Sequence, residues 1–296
     1  MGDAEDGIGP DDLLRLLLHA RRALGHAVDA PPGPHPFTGP AAVWPWFAHR
    51  LDAVAVAVER AGEGEGAAVL LGHLWAVVPP DADEAWCLRL RDRGVVLAGH
   101  LPGSAALAEA FRRSAGVFRA RGAFRSAELE AMREWEIRDR LGEPRALLDA
   151  LRWLTALFRD RGRTNRVIDC ADQYLKVHLR QDHRLGAAGS LAYLGSLMLE
   201  TGRPDAAADY ADRADRAYRE VPDAPADLVA ANRELWGRAL WAAGQQSAAR
   251  RQFRRAAEGL SGSRADRTRA LLDVVGDLPP PVTPVVEPVG PHLDVT

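Results

Sequence analysis

Four glycines punctuate the middle of the chain at near-constant intervals: Gly122, Gly162, Gly202 and Gly244 are 40, 40 and 42 residues apart. A fixed period of this size marks stacked copies of one supersecondary unit, each burying its apolar face against its neighbours. Each glycine lies between two segments whose apolar residues recur at three- and four-residue spacing, as in half-buried helices. The upstream segments are 105–120, 146–160, 185–200 and 225–242; the downstream ones are 124–141, 164–181, 204–220 and 246–258. The stripe of Leu191, Leu194, Leu197 and Met198 is the plainest. Glycine suits the residue after a helix because it adopts the left-handed cap without strain. Pro204 and Pro225 stand where a proline can open the next helix. The unit is therefore a helix, a tight turn and an antiparallel helix.

Composition closes off several alternatives. The chain has 296 residues and a formal net charge of −3, and of its 38 Lys plus Arg only Lys176 is lysine. That lysine is not in a G-x-x-x-x-G-K-[ST] loop, and its helical setting offers no partner for Schiff-base chemistry. Two cysteines, Cys87 and Cys170, cannot build a disulfide framework or a four-cysteine zinc site, and a reducing compartment is expected. The acidic start (Asp3, Glu5, Asp6) is unlike an export signal, and no apolar run approaches the ~20 residues that span a bilayer. The expectation is a cytoplasmic protein that does not enter membranes. Its Ala, Leu, Val and Arg habit suggests a GC-rich bacterial genome and a helix-prone chain.

The repeat resembles the tetratricopeptide repeat (TPR), whose pattern has a small residue seven before the turn glycine, a large apolar residue three further on, and alanines in the second helix. One copy reads Leu194-Gly195, Met198, Gly202, Ala207, Ala211 and Ala214. The next reads Trp236-Gly237, Leu240, Gly244, Ala249, Phe253 and Ala256. Weaker copies read Ala115, Phe118, Gly122, Ala127 and Ala131, then Thr155, Phe158, Gly162, Val167, Ala171 and Tyr174. Small residues at these points let the paired helices approach closely. The usual period is ~34 residues, so helices or connections are longer here. The pieces Asp12-Leu13-Leu14-Arg15-Leu16 and Trp46-Phe47-Ala48-His49-Arg50-Leu51 resemble the segments that join the nucleotide-binding and repeat regions of bacterial signal-transducing (NB-ARC/STAND-type) NTPase regulators, and the junctions at 140–146 and 183–188 resemble their repeat junctions, here without the NTPase. The resemblance implies an all-α, right-handed α-solenoid, a TPR-like superhelix of about five helical hairpins with extra amino-terminal helices.

Along the chain, residues 1–10 are expected to be disordered and 11–62 to form an amino-terminal helical segment with a Pro/Gly linker at 31–40. In that segment, helices are expected at 11–27, capped by Asp11 and Asp12, and at 46–61. Repeats occupy 65–260: a degenerate hairpin at 65–100, where Pro79-Pro80 replace the turn glycine, then 105–141, 146–181, 185–220 and 225–258. A capping helix covers 263–275, and the proline-rich tail 278–296 cannot form a core.

Laying the family pattern on the chain implies which side chains line the concave wall built from first helices. Arg112 and Arg119 fall there in one repeat, and Arg152 and Arg159 in the next. Glu200, Glu234, Arg238 and Trp241 lie further along. Seven-residue spacing keeps two side chains on one helix face, so the four arginines form a two-by-two ladder suited to carboxylates. The expected partner is a protein or peptide with an acidic or carboxylate-bearing segment. A second reading of the same residues is a solvated face neutralised by Asp149, Asp160 and their neighbours. The basic run Arg250, Arg251, Arg254, Arg255, Arg264, Arg267 and Arg269 has no recognition helix or base-stacking aromatics beside it, and nucleic acid is not the expected partner.

No catalytic residue, cofactor or metal site is expected. His178 and His183, five apart, do not align on one helix face, and His73 reads as a packed core histidine. Most of the eight tryptophans, with Trp241 the exception, and both cysteines read as core. The alternative function is an enzyme or small-molecule binder with its site inside the superhelix.

Overall fold

The computed structural model describes residues 8–275. Among them it contains fourteen helices, and none is long and apolar enough to cross a membrane. The chain divides into two compact units, with the boundary between Leu157 and Phe158. The tail at 278–296 and residues 1–7 of the expected disordered start lie outside the described residues.

The first unit holds α1 (Pro10–Ala23), α2 (Pro40–Ala48), α3 (Leu51–Arg60), α4 (Glu65–Trp75), α5 (Glu84–His100), α6 (Ala105–Ala120), α7 (Phe124–Leu141) and most of α8 (Pro144–Asp160). Pro10 occupies the first turn of α1 and Gly9 the cap, so Asp11 and Asp12 complement the helix dipole rather than capping it. The single helix expected at 46–61 is two. Pro40 opens α2 early, and the helix ends at Ala48, three residues after an internal proline, before α3 restarts at Leu51. Side-chain caps fix two further starts. Asp83 accepts from the Trp86 amide at 2.8 Å and Ser104 from the Leu107 amide at 3.0 Å. α4 makes its main packing against α6 rather than α5, because the connection through Pro79-Pro80 lacks a glycine turn to fold α5 directly back. Its core includes Leu13, Leu17, Phe47, Leu71, Phe111 and Phe118, each nearly fully buried.

The second unit continues α8 and adds α9 (Thr164–Arg180), α10 (Arg184–Glu200), α11 (Pro204–Arg219), α12 (Ala226–Ala242), α13 (Gln246–Gly259) and α14 (Gly262–Val274). α10 is buried along its whole length from Gly186 to Leu199, not along one stripe. It packs on α9, α11 and α12, which cover it on several sides.

The turn glycines carry the pattern expected of them. Gly122, Gly162, Gly202 and Gly244 all have φ between 63° and 78°. At each, the glycine amide bonds the carbonyl three residues back and the next amide bonds the carbonyl five back, as in Ala123 N to Phe118 O and Arg203 N to Met198 O, both 2.9 Å. This double bond closes the helix end and reverses the chain. The α9–α10 turn makes the same pair of bonds with Asp182 at φ 50° in place of glycine. Close approach explains the small residues of the first helices. A Cβ at Gly195 would stand 3.3 Å from the Ala207 carbonyl, and one at Gly237 would stand 2.8 Å from the Phe253 ring. Facing them, Ala207, Ala211, Ala249 and Ala256 are fully buried.

Candidate functional site

The residues expected on the first-helix wall are distributed over both units. In the first, α6 presents Arg112 and Arg119 and α8 presents Arg152. Arg119 lies over the Trp153 ring, 4.9 Å from guanidinium carbon to ring centroid, which makes α6 and α8 neighbours. Arg152 is exposed and pairs with Asp149 one turn earlier at 3.0 Å. Arg112 is 43% exposed and stands 3.7 Å from an oxygen of Glu134 on α7.

Glu134 is the least expected group in this unit. Its side chain is fully buried, and neither carboxylate oxygen has a hydrogen bond. Burial pushes its pKa up to about 7; Arg112 and Arg138 oppose the rise, while Glu109 and Asp149 reinforce it. One turn earlier, Glu130 is 1% exposed, accepts from the Ser114 hydroxyl at 2.8 Å and pairs with Arg133. Burial raises its pKa too, against Ser114 and Arg133.

In the second unit Arg159 donates to the Tyr193 hydroxyl from Nε and Nη2 at 3.3 and 3.1 Å. The tyrosine is buried, and burial raises its pKa against the pull of that arginine. Glu200, exposed at the end of α10, also has its pKa raised, by desolvation opposed by Arg159. Glu234 is not an open wall acid. It is 4% exposed and held by Arg238 at 2.5 Å and Arg264 at 2.9 Å. Trp241 is 4% exposed and edge-on to Phe253 in a core cluster with Leu240 and Ala249. Its assignment to an accessible wall is therefore corrected: α13 covers that side of α12, so the ring packs instead of facing solvent.

Other expectations need adjustment. His178 and His183 do meet, with their Nδ1 atoms 3.0 Å apart. The left-handed turn at Asp182 folds the chain back and bonds the His183 amide to the His178 carbonyl, so helix-face spacing does not apply across it. Burial, then His183, lowers the His178 pKa to about 4. Among the described residues no three His, Cys, Asp or Glu side chains are placed to hold a metal ion. His73 is half-buried and polar in role, its Nδ1 accepting from Arg21 at 2.8 Å. Burial beside Arg21 and Arg113 lowers its pKa to about 4. In the basic run, Arg264 turns in to Glu234 and Arg269 pairs with Asp266 at 2.7 Å, while Arg251, Arg254 and Arg255 are exposed.

No protein-family model matches the chain, and no curated protein matches it. The solved structures that resemble it include the following two. BtubC (BKLC) from P. vanneervenii shares 18% identity over 88% of this chain and 92% of its own, with a TM-score of 0.42. A kinesin light chain from Podosopora anserina, with nearly identical TPR-like repeats, shares 13% identity over 75% of this chain and 97% of its own, with a TM-score of 0.44. The helical-hairpin architecture rests on the chain's own helix pairing and capped turns.

Proposed function

We propose that the chain is a protein-interaction scaffold that takes an acidic or carboxylate-bearing peptide on the first-helix face formed by α6 and α8. The observation supporting this is the state of Arg112 and Arg152. Both guanidinium groups are substantially exposed, and their internal partners hold them weakly. Arg152 is in a solvent-exposed pair with Asp149, a type of contact that contributes about 0.2–1 kcal/mol. Arg112 faces Glu134 at 3.7 Å without a hydrogen bond. A carboxylate from outside, bound bidentately, replaces these contacts at little cost. Arg119, over the Trp153 ring, ties α6 to α8 beside these two positions.

The proposal extends to a regulatory adaptor, similar in its repeats to signal-transducing NTPase regulators and working in a reducing, cytoplasmic setting. The test is affinity capture from the native host with the wild type and with an Arg112→Glu/Arg152→Glu variant as baits. A partner retained by the wild type and lost from the variant is expected. A partner set unchanged by the two substitutions removes this face from the interaction.

A further inference from the structure

We propose that the cavity between α1 and the Ala30–Gly39 strap is a binding site for a small flat monocarboxylate, held by Arg22 and stacked against imidazole and proline. The cavity has a volume of about 530 Å³, within the range of small-molecule sites. It belongs to the amino-terminal helices and is separate from the α6–α8 face.

Its walls are fixed before any ligand arrives. Phe37 anchors the strap: it is 4% exposed, stacks on Phe47 at 5.9 Å and meets Trp46 edge-on at 5.7 Å. The Phe37 amide donates to His35 Nδ1 at 3.3 Å, and the His35 ring stacks on His19 of α1 at 4.5 Å with 22° between planes. Pro31 and Pro32 restrict the strap further, each locking its own φ. A preformed cavity of this kind needs little ordering when a ligand binds.

Two polar groups in the lining lack partners. The Arg22 guanidinium makes no hydrogen bond or ion pair with any described residue, and its side chain lines the cavity. His19, also lining it, is 6% exposed and its Nε2 has no hydrogen-bond partner. A buried ring nitrogen left unbonded carries a desolvation cost that a ligand oxygen or hydroxyl removes. None of the lining residues is acidic, so the site favours an anion. Arg22 is the only lining residue with a permanent positive charge, and burial, then His35, lowers the His19 pKa. One guanidinium matches a single carboxylate in bidentate geometry better than it matches a doubly charged phosphate. The imidazole and proline surfaces favour a planar ring over a flexible chain.

The experiment is calorimetric titration of the full chain with benzoate, nicotinate and indole-3-carboxylate, each set against its neutral amide. Saturable binding of one molecule per chain by at least one acid is expected, with its amide at least about tenfold weaker. Arg22→Gln should weaken the acid by a similar factor while leaving the thermal unfolding midpoint unchanged, since Arg22 supports no internal contact. His35→Ala, at an exposed position, should weaken acid and amide together by removing the stacking face. Absence of saturable binding by all three acids overturns the proposal. So does equal affinity for acid and amide, or affinity unchanged in Arg22→Gln.

Discussion

Replacing Glu134 with glutamine should stabilise the protein at pH 8 and leave it nearly unchanged at pH 5. In the fold this carboxyl titrates near 7, against 4.5 when unburied, because burial without a hydrogen bond outweighs the nearby Arg112 and Arg138. At ~1.4 kcal/mol per decade of proton affinity, that displacement corresponds to about 3 kcal/mol. The direction follows from proton binding. Between pH 4.5 and 7 the folded chain keeps a proton that the unfolded chain has released, so stability falls as pH rises through this window and levels off above it. Glutamine is neutral throughout and close in shape. Arg112, 43% exposed, keeps its hydration when its partner is neutralised, so the usual cost of breaking a buried pair is reduced. The assay is urea unfolding followed by far-ultraviolet circular dichroism at half-unit steps from pH 5 to 8.5. Subtracting the variant's curve cancels the titrating groups that do not interact with Glu134. A difference growing to about 3 kcal/mol in favour of glutamine at high pH is expected. A flat difference, or a glutamine variant less stable at pH 8, refutes the reasoning.

Other outcomes follow from particular contacts. Asp182→Gly relieves a left-handed residue with a Cβ and should raise stability by ~1 kcal/mol, read as a higher thermal midpoint. Gly237→Ala forces a methyl group to within 2.8 Å of the Phe253 ring and should cost about 1–3 kcal/mol in denaturant unfolding; an unchanged midpoint shows that the ring yields freely. His178 runs opposite to Glu134. Its folded pKa of about 4 lies below the ordinary 6.5, so its contribution is complete above pH 6.5 and is lost as pH falls toward 4. The loss should reach about 3 kcal/mol in acid unfolding curves and vanish in a His178→Gln variant.

The hairpins were legible because two independent signals coincide: apolar spacing sets each helix, and glycine at φ near 70° sets each stop. Where the glycine is missing, reading becomes harder. Asp182 makes the same turn with a residue that propensity does not favour, so the meeting of His178 and His183 was hidden behind a helix-spacing rule. The amino-terminal helices were harder to bound: Pro40 starts α2 six residues before the expected 46, and no glycine or proline marks the break at His49–Arg50 that splits 46–61. The charged residues were the least readable. Glu130 and Glu134 fall at three- and four-residue steps from Ala127, Ala131 and Ile137, all of them buried. That register was visible in the sequence, but carboxylates are assigned to solvent by default. Of the wall residues, Arg112 and Arg152 kept an exposed setting. Glu234 and Trp241 did not, because their burial depends on α13 and α14 closing over α12, a tertiary event that leaves no mark within α12 itself.

The most direct test of the scaffold proposal is fluorescence anisotropy of a labelled glutamate-rich peptide titrated with the chain at low and moderate salt. The account predicts saturable binding that weakens with added salt and weakens at least about tenfold when Arg112 and Arg152 are both changed to glutamate. Equal affinity in the double variant, with its helical spectrum intact, contradicts it.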